Sequence, residues 1–364
     1  MAALALRDAS AKLGQMKPRR RTSLLTLLLA VAGGLAWWLW PEPDPLFQGK
    51  PESAWIKGID YNGSDEQTKQ WREFGPEGVR VLIRGMERAD RRWERFYRGA
   101  YQRLAPRLPF GLARLLPAPA AILTAGPPSS IINLLCRLDK EAKLAAAPAV
   151  ARAMKSEDRG VRQIAIGFFN DTEDENALLN QLDPKLKRRL LPDLIRAMQD
   201  PIEWALRNNA AVALRYYPEQ AQVVSPVLAK ALQDSAPQVR LEAAIALNRV
   251  DPEAAKKAGA VSVVANVLKD PDDQVAWRAA DALRAFRSQA DVAVPALVEA
   301  LQNTNTLVAC SAVWSLEAAF SDQTNALVPA LRMAAQRNDN AGKYAASALK
   351  HLTPQPAPAG SPQP

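Results

Sequence analysis

Side chains capable of covalent chemistry are few in this chain of 364 residues. There is one histidine, His351, and two cysteines, Cys136 and Cys310. One imidazole, read as following the last helix beside a proline-rich tail, cannot supply the paired histidines of a histidine-built metal site. The cysteines lie 174 positions apart, each within an apolar helical stretch. They are read as small buried hydrophobes, with no C-x-x-C spacing and with a stack of four or more repeat units expected to hold them farther apart than a disulfide can span. No phosphate-cradling glycine loop, Gly-x-Ser-x-Gly elbow or EF-hand spacing occurs. The aspartates Asp234, Asp270, Asp272 and Asp273 fall where helix caps belong. The expectation is therefore no enzymatic activity, no metal and no cofactor.

What remains is charge, and it is unevenly spread. The formal net charge is +9. Over half of it sits in the first 21 residues, where six basic residues face one acidic residue. A second concentration follows residue 87. Arg88, Arg91, Arg92, Arg95 and Arg98 fall on one side of a predicted helix, with Trp93, Tyr97, Tyr101 and Leu104 opposite. Between 88 and 114 there are eight arginines against Asp90 and Glu94. Such a helix can bind an anionic lipid surface or an envelope polysaccharide through residues 88–107. It can equally pack on the first repeat with its arginines in water. Nucleic acid is disfavoured, because the topology argued below keeps the domain away from it.

The elements that would carry these groups repeat. Val239–Leu247, Val275–Leu283 and Val308–Leu316 are variants of one line. Its closing leucine recurs at Leu214, Leu247, Leu283, Leu316 and Leu349, at steps of 33, 36, 33 and 33. Between these lines Pro192, Pro226, Pro295 and Pro329 are each read as opening an apolar helix, since proline suits a first turn. Two amphipathic helices per repeat, neither able to bury its stripe alone, predict an all-α solenoid. Polar turns at Asp234-Ser, Asp270-Pro-Asp-Asp and Asn303-Thr-Asn can cap the following helices. A longer step, from Phe169 to Leu214, contains the acidic run Asn170–Asn176.

From about Ala147 to Leu352 these lines resemble bacterial HEAT repeats of the short, HEAT-like or armadillo type. The resemblance implies a stack that binds other proteins. The basic residue after the first valine is kept at Arg162 and Arg240 but lost at Ala276 and Ala309. That counts against the ladder of paired charges found in longer HEAT proteins. The opening Phe47-Gln-Gly-Lys-Pro-Glu-Ser-Ala-Trp55, with Phe74-Gly-Pro-Glu-Gly78, resembles the first segment of HEAT-repeat proteins of the Verrucomicrobia and Planctomycetes groups. It implies an atypical capping repeat, with Trp55 as a core plug.

Residues 22–40 form an uncharged apolar run of 19 residues behind Lys17-Pro-Arg-Arg-Arg21. At about 1.5 Å per residue that length can cross a bilayer core. Trp37, Trp38 and Trp40 crowd one end, where indoles prefer the headgroups. A single-pass anchor is expected, with the basic tail 1–21 in the cytoplasm and the solenoid extracytoplasmic. The expected order continues with a linker, capping repeat and basic helix over 41–130. The solenoid follows over 131–352, then a disordered proline-rich tail over 353–364. The expected function is an interaction module or scaffold at the cell envelope for a protein partner whose identity is open. Its contacts are predicted at Arg196, Lys230, Asn266, Glu299 and Arg332, on the second helices and their concave face.

Overall fold

A computed structural model describes residues 44–89, 101, 103, 105–107, 128–170 and 177–353. The chain divides into two compact parts, residues 1–58 with 87–126, and residues 59–86 with 127–364. The predicted anchor over 22–40, the acidic run 171–176 and the tail from 354 onward lie outside the described residues. Among those that are described, no helix is long and apolar enough to cross a membrane.

In the first part, strands β1 (Leu46–Phe47) and β2 (Lys50–Pro51) pair antiparallel and lead into helix α1 (Glu52–Lys57). Gln48 and Gly49 both take positive φ, the backbone that a two-residue hairpin turn demands. Trp55 is half-buried. Its Nε1 donates to the Phe47 carbonyl at 2.8 Å, and the Lys50 ammonium lies 5.1 Å from its ring centre. The indole thus fastens the hairpin to α1 but is not fully enclosed, as a core plug would be.

The second part is built from helix pairs. It opens with α2 (Asp65–Glu73) and the start of α3 (Gly75–Ala89), followed by α4 (Pro128–Cys136) and α5 (Lys140–Ala153). Arg137 ties this opening together. Its guanidinium donates to the carbonyls of Asn62 and Gly63 and pairs with Asp65, while its own carbonyl accepts from Arg72. Next come α6 (Arg159–Gly167), α7 (Leu178–Gln181), α8 (Pro184–Met198) and α9 (Trp204–Leu214). Helices α10 (Ala221–Ala231), α11 (Pro237–Val250), α12 (Pro252–Lys257) and α13 (Ala260–Val267) continue the series. It closes with α14 (Asp273–Ala282), α15 (Ala290–Ala300), α16 (Thr306–Phe320), α17 (Thr324–Ala334) and α18 (Asn340–Leu352).

These helices form two layers. In the A layer α4, α6, α9, α11, α14, α16 and α18 each pack on the next. In the B layer α8 packs on α10, α13 on α15 and α15 on α17. The short α7 lies against α5, and the short α12 against α10 and α13. Helix α12 accounts for the longer step of 36, because it adds residues between an A helix and its B partner. Gly259, at φ 70°, separates α12 from α13. The predicted all-α solenoid of HEAT-like pairs is what the second part contains. Leu214, Leu247, Leu283 and Leu316 are each fully buried. Leu349 is only half-buried, since its helix is the last A helix of the stack.

Three local readings need correction. The prolines do not open the B helices. Pro226, Pro295 and Pro329 are each the central residue of an eleven-residue helix, and Pro192 lies inside α8. Proline removes the bond to the carbonyl four residues back. All four rings are exposed, so that carbonyl can turn to water instead. His351 does not follow the last helix but lies within α18, its Nδ1 2.6 Å from Glu317 of α16. Both cysteines are half-buried rather than fully enclosed. Burial still pushes the Cys136 thiol up to about 11 and raises that of Cys310.

Candidate functional site

The repeat register decides which side chains the B layer shows to solvent. In each B helix one buried residue anchors the core: Val150, Leu194, Leu228, Val264, Leu297 or Leu331. The side chain two positions on points away from that anchor, because each residue turns about 100° around a helix. Those positions are Arg152, Arg196, Lys230, Asn266, Glu299 and Met333, and all six are exposed. Four of the five predicted contact residues therefore occupy one register. The fifth, Arg332, is exposed but sits one residue early, and Met333 holds the equivalent place. Arg152 was missed, although Pro148, four residues before it, repeats the spacing of Pro192 to Arg196 and Pro226 to Lys230.

Charge along this stripe changes from one end to the other. Arg152, Arg196 and Lys230 are cationic, Asn266 is neutral, Glu299 is anionic and Met333 is apolar. Arg196 donates to Asp193 at 2.9 Å, with most of its side chain in water. Glu299 meets Lys269 at 2.9 Å, both exposed, so that pair is close to neutral in its effect on stability. Beside the stripe, α7, α8 and the 3-10 turn Pro218–Gln220 border a cleft lined in part by Asn180, Lys187, Arg188 and Glu219. Two of its charges, Lys187 and Glu219, engage each other. The Lys187 ammonium lies 3.1 Å from Glu219 and 5.2 Å from the Tyr217 ring centre. Burial raises the Tyr217 hydroxyl above its usual range, and that group donates to the Lys187 carbonyl.

Ion pairs also run between repeats, which the sequence reading had discounted. Arg207 of α9 reaches Asp234 of the next repeat with two parallel hydrogen bonds of 2.7 and 2.8 Å. Arg162 of α6 lies 3.7 Å from Asp200 in the same way. The carboxylate comes from the turn after the B helix and not from the B helix itself. The first residue of that turn recurs as an acceptor for the backbone N–H two positions on. Asp200 takes Ile202, Asp234 takes Ala236, Asp270 takes Asp272 and Asn303 takes Asn305. Asp272 and Asn305 then cap α14 and α16. A second bridge has no counterpart in the sequence reading. Glu242, buried in α11, takes Arg215 at the C-terminus of α9 and Arg278 of α14 together.

The basic helix proposed for anionic surfaces is described only at its edges. Arg88 is buried, pairing with Asp44 at 3.0 Å and Glu52 at 2.6 Å. It is therefore removed from the surface-binding set, because a buried guanidinium already held by two carboxylates offers nothing to a lipid. Arg91, Arg92, Trp93, Arg95, Tyr97 and Arg98 lie outside the described residues. Among the described residues no group of His, Cys, Asp and Glu could hold a metal ion.

Residues 261–350 match the family profile for HEAT repeats. No curated protein matches the sequence. Several solved structures align with it at low identity. One is an engineered protein, 19% identical, covering 57% of this chain and 96% of its own, with a TM-score of 0.42. Another is a designed armadillo repeat protein in complex with the peptide (KR)4, at 22%, 57%, 99% and 0.42. A third is YibA of Escherichia coli, at 18%, 70%, 87% and 0.43.

Proposed function

We propose that this HEAT/armadillo-type α-solenoid works as a non-enzymatic scaffold for a protein partner, held at the cell envelope by residues 22–40. The observation that carries the interaction reading is the B-layer stripe. The B helices of successive repeats present side chains of one register to solvent, with α8 packed on α10, α13 on α15 and α15 on α17. Such a row can contact several points of one partner without any change of fold. The envelope placement rests on the uncharged run 22–40 behind a basic cluster. Of Arg88, Arg91, Arg92, Arg95 and Arg98, proposed for the lipid or polysaccharide alternative, Arg88 alone is among the described residues, and it is engaged internally.

Two experiments test this. A photo-crosslinking residue placed at Arg196, Asn266 or Glu299 in cells should trap one protein at all three sites. The same residue at Gln274, exposed on the A layer, should not trap it. Trapping at Gln274 alone, or at none of the four, overturns the assignment of the stripe. Separately, removing residues 1–40 should release the chain from the membrane fraction, and retention there overturns the anchor.

A further inference from the structure

The N-terminal and C-terminal halves of the stripe differ in chemistry, and the N-terminal half is the more specific. Helix α8 exposes Lys185, Arg188, Arg189 and Arg196 on successive turns. On either side in the B layer stand Arg152 of α5 and Lys230 of α10, both exposed. Between these cations run the exposed rings of Pro148, Pro192 and Pro226, with Val223 half in water beside the last. Exposed acids on these helices are few. Glu141 lies in the first turn of α5, Asp183 is committed to capping α8, and Glu219 nearby is taken by Lys187.

We propose that the B face of α5, α8 and α10 binds an extended acidic protein segment carrying aliphatic side chains between its carboxylates. The inference rests on the interaction reading above and names the chemistry of the partner. Cationic rows would take the Asp and Glu side chains, the arginines through two-pronged hydrogen bonds. Proline rings and Val223 would take the aliphatic ones. Helices α8 and α10 pack on each other, a step of about 8–10 Å that about three extended residues at ~3.3 Å each would cross, and a longer segment would go on past α7 to α5. Nucleic acid fits less well, because no aromatic ring among the described residues of this face offers a base a stacking platform.

The test uses the full-length chain in mild detergent and a fluorescein-labelled peptide of Asp and Glu with interspersed Leu. Binding should be saturable and weaken as salt is raised. The double reversal Arg189→Glu/Lys230→Glu, at two exposed positions, should weaken it at least about 10-fold. Circular dichroism melting should be unchanged in that variant, and the A-layer change Gln274→Glu, away from the stripe, should leave affinity intact. Equal binding of a lysine-rich peptide overturns the proposal, as does indifference to the double reversal. Tighter capture of oligothymidylate of equal charge also overturns it, and assigns the face to nucleic acid. Crosslinks that persist along the stripe while the acidic peptide fails to bind would sink this inference alone. Absence of both would sink the interaction reading with it.

Discussion

The repeats built on α6, α9 and α11 hold together differently from those built on α14 and α16. In the former, arginines reach from one repeat into the turn or helix of the next: Arg162 to Asp200, Arg207 to Asp234, Arg215 to Glu242. In the latter, the position of Arg162, Arg207 and Arg240 is taken by Ala276 and Ala309, both buried. Hydroxyls replace the guanidinium groups there. Ser311 donates to the Trp277 carbonyl at 3.1 Å and Ser315 to the Ala280 carbonyl at 2.8 Å, both across the α14–α16 contact. Small side chains let these two helices approach, and the short hydroxyl bonds need that approach. The last repeat returns to arginine, with Arg337 donating to the Leu301 carbonyl and held by Asp339. One fold thus uses two kinds of join between repeats, long charged arms and close neutral contact. They should respond differently to substitution, and only the first should feel acid.

The largest effect is expected at Glu242. Replacing it with alanine strands two arginines, one of which, Arg215, is mostly covered, and should cost about 3 kcal/mol in denaturant unfolding. A loss no greater than that of Ser315→Ala would erase the contrast. A double-mutant cycle on Arg207 and Asp234 comes next. Their side chains are about one-tenth exposed, and a coupling of about 2 kcal/mol is expected. Ser315→Ala removes one neutral bond inside a close contact and should cost about 1 kcal/mol. Ser315→Val should cost more, because the added methyl groups must push the helices apart.

Acid sharpens the comparison further. The Glu203 and Ile202 N–H groups, with Arg159 and Arg162, hold the Asp200 carboxyl below its ordinary value against the opposing effect of burial. Burial raises that of Asp234, but the Arg207 hydrogen bond and the Ala236 N–H outweigh it and leave it low. A carboxyl held low in the folded state stabilises fully above its unfolded pKa, near 4. That contribution is lost as pH falls through the folded value. Melting temperature should therefore drop between about pH 4 and 2, and drop less in the Asp200→Asn/Asp234→Asn variant. An equal drop in both would remove the charged arms from the account. The smallest effect is expected at Pro226→Ala, which regains one exposed backbone bond. It should shift stability by less than about 1 kcal/mol in either direction, since proline also restricts the unfolded chain.

Which parts of this were legible in the sequence follows from what repeats. The leucine step and the small residues of the A helices are local signals, and the buried set Leu214, Leu247, Leu283 and Leu316 came out as read. Lys230 and Asn266 could be placed because the register is the same in every repeat. Arg332 slipped by one residue, since its helix carries two candidate polar or flexible side chains in succession and only packing of Leu331 fixes the rotation. The prolines were assigned to first turns because that is where a lone helix tolerates them. Exposure to water, which the sequence does not state, is what admits them at mid-helix.

Sequence alone determined the architecture of the repeats, because apolar periodicity and repeat length dictate which stripe each helix must bury. Tertiary structure alone decided which charges are spent inside the stack and which face solvent. Arg88, Arg207 and Arg196 are the same residue type in helical text. Two are held by carboxylates many residues away, and the third keeps most of its side chain in water. Such pairings depend on where distant segments meet, and no local pattern carries that information.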